Sequence, residues 1–197
     1  MSDIAIFGGS FDPVHKAHIE IVKSAFKSFD LAKIIFTPSF LAPHKTQHYA
    51  CAKDRIEMLK IALAGISNVE INCFEIQKGT KIYSYQTLDY FKELYPNDNI
   101  FMIIGSDSLV NLSYWKNIDY IAGKYRFIVA NRKGILLTPE TKFLDKCLFL
   151  EKEIDDISST QIRKLICSGM DAQEYLDNGV YEYIKKNGLY YSENNNS

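Results

Sequence analysis

Two histidines three positions apart, His15 and His18, follow the glycine pair Gly8-Gly9 and the stretch Ser10-Phe11-Asp12-Pro13. On the first turn of a helix such a pair shares one face, so both imidazoles look the same way. Adjacent glycines let the backbone approach a ligand closely, and a helix that opens near His15 turns its free amides and positive dipole end to the same place. This corner is suited to phosphate, with Gly8, Gly9, Ser10, Phe11, His15 and His18 as its candidate ligands. Much later comes Ile157-Ser158-Ser159-Thr160-Gln161-Ile162-Arg163. Ser158 with Gln161 reads as a capping box, so a second helix starts there with its amides exposed. Arg163 on its first turns is the residue type that grips phosphate oxygens in pairs. Donors of this kind hold polyanions together and offset charge that develops on a leaving group.

The elements between must bring these stretches together. Ile4-Ala5-Ile6-Phe7 reads as a strand and Ile19 to Phe29 as an amphipathic helix. Lys33 to Thr37, Val69 to Asn72, Ile100 to Ile104, Phe127 to Ala130 and Cys147 to Leu150 read as further strands, and Ala52 to Ala64 as a helix ended by Gly65. Met58 and Leu59 within that helix are core residues. Ile100 to Ile104 is apolar throughout, as a central parallel strand buried on both faces should be. Strands alternating with helices imply an α/β fold, a doubly wound parallel sheet, with ligands at the carboxyl ends of the strands. Gly105-Ser106-Asp107 stands at such an end, where a carboxylate suits sugar hydroxyls or caps the next helix. The loop from Ser39 to Gln47, with Pro43-His44-Lys45, is on the same side, and residues 133 to 143 form a surface loop.

The chain has 197 residues and a formal net charge of −1, enough for one buried α/β core and no indication of a nucleic-acid partner. One domain over residues 1 to 191 is expected, its last part helical, with a polar, asparagine-rich, disordered tail over residues 192 to 197. Cys51, Cys73, Cys147 and Cys167 form no CxxC pair, which fits free thiols in a reducing compartment. No apolar run nears the roughly 20 residues of a membrane helix, and the first residues do not read as a basic region followed by a long apolar run. A cytoplasmic protein without a membrane partner is the expectation. The oligomeric state is open, a homo-oligomer included. Two other functional classes are open as well: a zinc hydrolase using His15, His18, His44 and His48, and a nucleotide sensor without catalysis on the same fold.

The segment from Gly8 to His18 resembles the signature of the nucleotidyltransferase superfamily, a histidine pair after a glycine turn. Its GGSFDP start is similar, within that superfamily, to the bacterial nicotinate-nucleotide adenylyltransferases. The segment Ile157 to Arg163 resembles the same family's ISSTxIR motif, and Val180 to Tyr190 its closing VxxYIxxxGLY. The resemblance implies a Rossmann-like sheet of the nucleotidyltransferase type and adenylyl transfer from ATP to nicotinate mononucleotide, with magnesium bridging phosphates and no confident metal ligand among the side chains. It further implies Lys45, Ser158, Ser159, Thr160 and Arg163 at the ATP phosphates, with Gly105 and Asp107 near a ribose. His18, His15, Lys45 and Arg163 are the expected catalytic donors. Ser10, Asp12, Tyr83, Ser84, Thr87, Trp115 and Arg132 are implied at the mononucleotide, Trp115 offering a flat face to the pyridine ring. The chain departs from the family pattern at Ala17, Ser84, Gln86 and Asn178.

Overall fold

The computed structural model describes residues 1–41, 48–155 and 157–192. Six parallel strands form one sheet: β1 (Asp3–Gly9), β2 (Leu31–Pro38), β3 (Val69–Ile71), β4 (Asn99–Gly105), β5 (Arg126–Ala130) and β6 (Cys147–Phe149). Their spatial order is β3-β2-β1-β4-β5-β6. The chain winds outward from β1 in one direction and from β4 in the other. Strand order therefore reverses between these two neighbours, where Ile6 lies beside Met102, and a crevice opens beyond their carboxyl ends. Gly8-Gly9 ends one strand and Gly105 the other.

Alternation along β1 decides which face each side chain serves. Ala5 and Phe7 join a core with Phe36, Met58 and Leu59. That core lies under α1 (Lys16–Ser28), α2 (Ala52–Leu63), α7 (Ser159–Cys167) and α8 (Asn178–Lys186). Ile4 and Ile6 join the opposite core with Leu88, Phe91, Ile121 and Phe127, under α4 (Ser84–Leu94) and α6 (Ile118–Lys124). The remaining helices are the short α3 (Phe74–Lys78) and α5 (Ser106–Val110).

The fold class and the strand sequence match the expectation, and boundaries move by one or two residues. α3 was not foreseen, because a single turn of FEIQK carries too little periodicity to stand out from a loop. The glycine pair also acts differently from a turn. Gly8 and Gly9 are the last residues of β1, and the left-handed backbone falls on Phe11, at φ 49°. At Gly9 the space is tight, since a Cβ there would meet the Phe11 ring at 3.0 Å and the ring would have to give way. Residues 193–197 lie outside the described residues, and with them all of the expected tail but Ser192.

Candidate active site

His15 is the residue at which α1 begins, in extended conformation at φ −143° and ψ 171°. Its amide donates to Nδ1 of His18 at 3.2 Å. With Nδ1 accepting, the neutral ring of His18 carries its proton on Nε2 and is a hydrogen-bond donor there. The two imidazoles pack with centroids 3.7 Å apart, and the His18 ring is braced by Phe11 at 5.1 Å and Phe7 at 5.8 Å. Holding Phe11 at a positive φ costs about 1 kcal/mol or more. Its ring, 2% exposed and edge-on to Phe7, offsets that cost. Burial pushes the His15 pKa down to about 3, with the nearby Arg132 charge adding to the effect. His18 is pushed well below its ordinary value by burial first, then by His15 and Arg132. At neutral pH the pair is uncharged, so it offers N–H donors and no net charge.

The loop after β1 is gripped from behind. Arg55, 1% exposed on α2, donates to the Ser10 carbonyl at 2.8 Å. Arg163 donates from NH1 to the Asp12 carbonyl at 2.7 Å, and Ser159 from its hydroxyl to the Pro13 carbonyl at 2.9 Å. The two phosphate motifs are thus tied directly to each other. Asp12 was expected at the mononucleotide, but its side chain is fully buried and turned inward. It accepts from the Tyr49 amide at 2.8 Å, the Ala50 amide at 3.1 Å and the Tyr190 hydroxyl at 2.8 Å, with His48 Nδ1 at 3.6 Å. Burial works against its charge, and these partners, with Arg163, hold its pKa below the ordinary carboxylate value. Its position is that of an anchor for three chain segments.

Arg163 likewise differs from a free phosphate hook. It is buried, its guanidinium lies 4.1 Å from the Tyr49 ring centroid, and NH2 donates to the Thr160 hydroxyl at 3.2 Å. Its Nε has no hydrogen-bond partner among the described residues. Ser158 caps α7, accepting from the Gln161 amide at 3.2 Å. The first amides of that helix, at Ser159 and Thr160, lack partners within it.

Across Gly8, Gly9 and Ser10 lies a cleft of about 850 Å³. Its far wall carries Tyr83, Ser84, Thr87, Asp107 and Trp115, all foreseen, together with Glu75 and Lys116, which were not. α4 points its amino end into the cleft through Ser84. Gln86, a departure from the family pattern, is its capping residue: the Gln86 side chain accepts from the Tyr83 amide at 3.0 Å. Lys116 lies over the Tyr83 ring at 4.4 Å. Arg132 Nε is 3.2 Å from Asp107, which places Arg132 beside the ribose candidate and within electrostatic reach of both histidines. A Cβ on Gly105 would meet the Asp107 carboxylate and the Arg132 guanidinium, so a larger residue there would displace this ion pair.

The cytidylyltransferase-like family model matches residues 6–165. The probable nicotinate-nucleotide adenylyltransferase of Endomicrobium trichonymphae is 55% identical over 192 residues, 96% of this chain and 100% of that protein. The chain belongs to the nicotinate-nucleotide adenylyltransferase family. A second adenylyltransferase of this family, from Clostridium tetani, is 37% identical over 201 residues, again 96% of this chain and 100% of that one. Among solved structures, the nicotinic acid mononucleotide adenylyltransferase of Plasmodium falciparum complexed with NaAD superposes with a TM-score of 0.80. It is 23% identical and covers 96% of this chain and 98% of its own, a likeness of fold.

The departures from the adenylyltransferase pattern are absorbed locally. Ala17 is buried in the first core, and Asn178 opens α8 behind Asp177, whose carboxylate accepts from the Gly179 amide at 2.8 Å. Lys45 and His44 lie outside the described residues. Of the four histidines considered for zinc, His48 is turned toward Asp12. Among the described residues no three His, Cys, Asp or Glu side chains are grouped as a metal site, and no helix is long and apolar enough to cross a membrane.

Proposed function

We propose that this adenylyltransferase moves the adenylyl group of ATP onto nicotinate mononucleotide, giving nicotinate adenine dinucleotide and pyrophosphate. The observation that carries this reading is the continuity of the site. A buried histidine corner opens across Gly8-Gly9-Ser10 onto a cleft that contains Trp115 and a helix amino end. One polyanion fits the corner and an aromatic acid fits the cleft.

An oxygen of the mononucleotide 5′-phosphate attacks the α-phosphorus in line. That P–O bond forms while the bond to the β-phosphate oxygen breaks, and pyrophosphate leaves with the electron pair. The attacking phosphate is already an anion, so no side chain need remove a proton. His18 donates its Nε2 proton as a hydrogen bond near the α-phosphate, where charge rises during transfer. His15 aligns it, and the amides of Gly9, Ser10 and α7 add donors. Arg163 contributes its Nε–H and its charge at the outer phosphates, joined by Lys45 and the amide of Thr160. Magnesium bound to the triphosphate would supply further neutralisation of the leaving group. Asp12 is spent inside the fold and Asp107 sits beside Arg132, so phosphate oxygens and water fit as its ligands better than these carboxylates do.

In the cleft, Trp115 stacks on the pyridine ring, and the amides of Ser84 and Tyr85 receive its carboxylate. Asp107, held by Arg132, accepts from ribose hydroxyls. The four free cysteines support a reducing, cytoplasmic setting. Pyrophosphate release from ATP and magnesium with the mononucleotide as acceptor tests the assignment. Rapid release is expected, and none with either the acid or the amide form would overturn it.

A further inference from the structure

Glu75 is an acid with no assigned role on the wall of the acceptor cleft. It is 8% exposed, and the Thr87 hydroxyl donates to its Oε1 at 2.8 Å. Thr87 and Ser84 are three apart on α4 and share a face, so the Glu75 carboxyl stands about one turn from the helix end that opens the cleft. That end suits an anion, since the amides of Ser84 and Tyr85 lack helical partners and the cap is the uncharged Gln86. An ionised carboxylate beside that end repels an anionic ligand, while a protonated one can donate its O–H to it. A carboxamide both donates and accepts, so it suits either state.

Resting on the reading of this cleft as the mononucleotide site, we propose that Glu75 is a specificity-determining residue that reads the charge of the pyridine substituent. In its protonated form it favours the carboxylate, and when ionised it loses that preference over the carboxamide. Burial pushes the Glu75 carboxyl up to about 7, with the Thr87 bond opposing the shift. The titratable groups that share the cleft with it are Tyr83 before α4 and Lys116 and Asp107 across it, while Lys78 on its own helix is held over the Phe74 ring. Tyr90 of α4 stacks on that ring, and Ser39, which follows β2, borders the cleft as an uncharged group. Binding the acid therefore favours proton uptake by Glu75, and binding the amide does not.

The test measures kcat/KM with nicotinate mononucleotide and with nicotinamide mononucleotide, between about pH 6 and 8.5, on the native protein with magnesium and ATP. Both acceptors carry the same 5′-phosphate, whose titration cancels in the ratio. The acid-to-amide ratio should fall as pH rises through about 7, approaching roughly tenfold per unit. Glu75→Gln should flatten the ratio, and Thr87→Val, which removes the bond that favours the ionised form, should move the fall to higher pH. A native ratio independent of pH, or one whose fall survives in Glu75→Gln, would overturn the inference while leaving the assigned reaction intact. No turnover with either acceptor would instead overturn the reading of the cleft on which it rests.

Discussion

At the histidine corner the side chains are buried and held from several directions: His15 is 3% exposed, Asp12 is at 0%, and Arg55 and Arg163 grip the loop backbone from two different helices. Across the same glycines, the cleft borders Tyr83, Trp115 and Tyr114, the last 87% exposed, with a capped helix end, a hydroxyl-to-carboxyl bond and the Asp107–Arg132 pair among its polar fixtures. The difference follows from the work each must do. Donors that meet developing charge gain by being fixed before the reaction starts, because they then pay no reorganisation at that moment. A site that recognises an aromatic acid needs a flat surface and a few donors, and tolerates motion. Changes at the corner should therefore alter turnover or folding, and changes in the cleft should alter acceptor affinity.

The largest contrast is expected from His18→Ala, which should lower kcat on the order of 10² to 10³-fold with both acceptors and leave the acceptor KM nearly unchanged. Steady-state pyrophosphate release reads both quantities. Asp12→Ala removes the acceptor of two buried amides and the Tyr190 hydroxyl, and should cost on the order of 3 kcal/mol, a drop in the thermal midpoint of roughly 6 to 12 °C. Because the fold lowers the Asp12 pKa, its contribution is complete above the ordinary carboxylate range and is lost as pH falls below about 3.9. Acid unfolding followed by circular dichroism should be steeper in the native chain than in the variant.

Smaller effects belong to the cleft. Trp115→Ala should raise the acceptor KM up to about tenfold, with kcat changed far less. A loss of kcat like that of His18→Ala would erase the division between the regions. Gln86→Asp keeps a capping oxygen, so stability by denaturant titration should stay within about 0.5 kcal/mol.

Much of the corner was legible because its signals are local. The Gly8-Gly9 pair, the spacing of His15 and His18, and the Ser158-to-Gln161 capping box each show within a few residues which helix begins where. The strands were legible from apolar runs, and β1 and β4 from the glycines that end them. What could not be read depends on contacts between distant segments. The hold of Arg55 on the Ser10 carbonyl shows only once α2 is packed behind the loop. Asp12 stands in a motif rich in ligand candidates, yet Tyr190, 178 residues later, takes its carboxylate inward. Glu75 left one trace, an acid between Phe74 and Ile76 in an otherwise apolar run, but only the fold brings it to Thr87.

The most direct test of the division of labour is a double-mutant cycle on His18→Ala and Trp115→Ala, read as kcat/KM for nicotinate mononucleotide. If the corner stabilises transfer and the cleft only holds the acceptor, the two losses should combine additively in free energy to within about 0.5 kcal/mol. A coupling of about tenfold or more in rate, about 1.4 kcal/mol, would contradict it and make corner and cleft one cooperative unit.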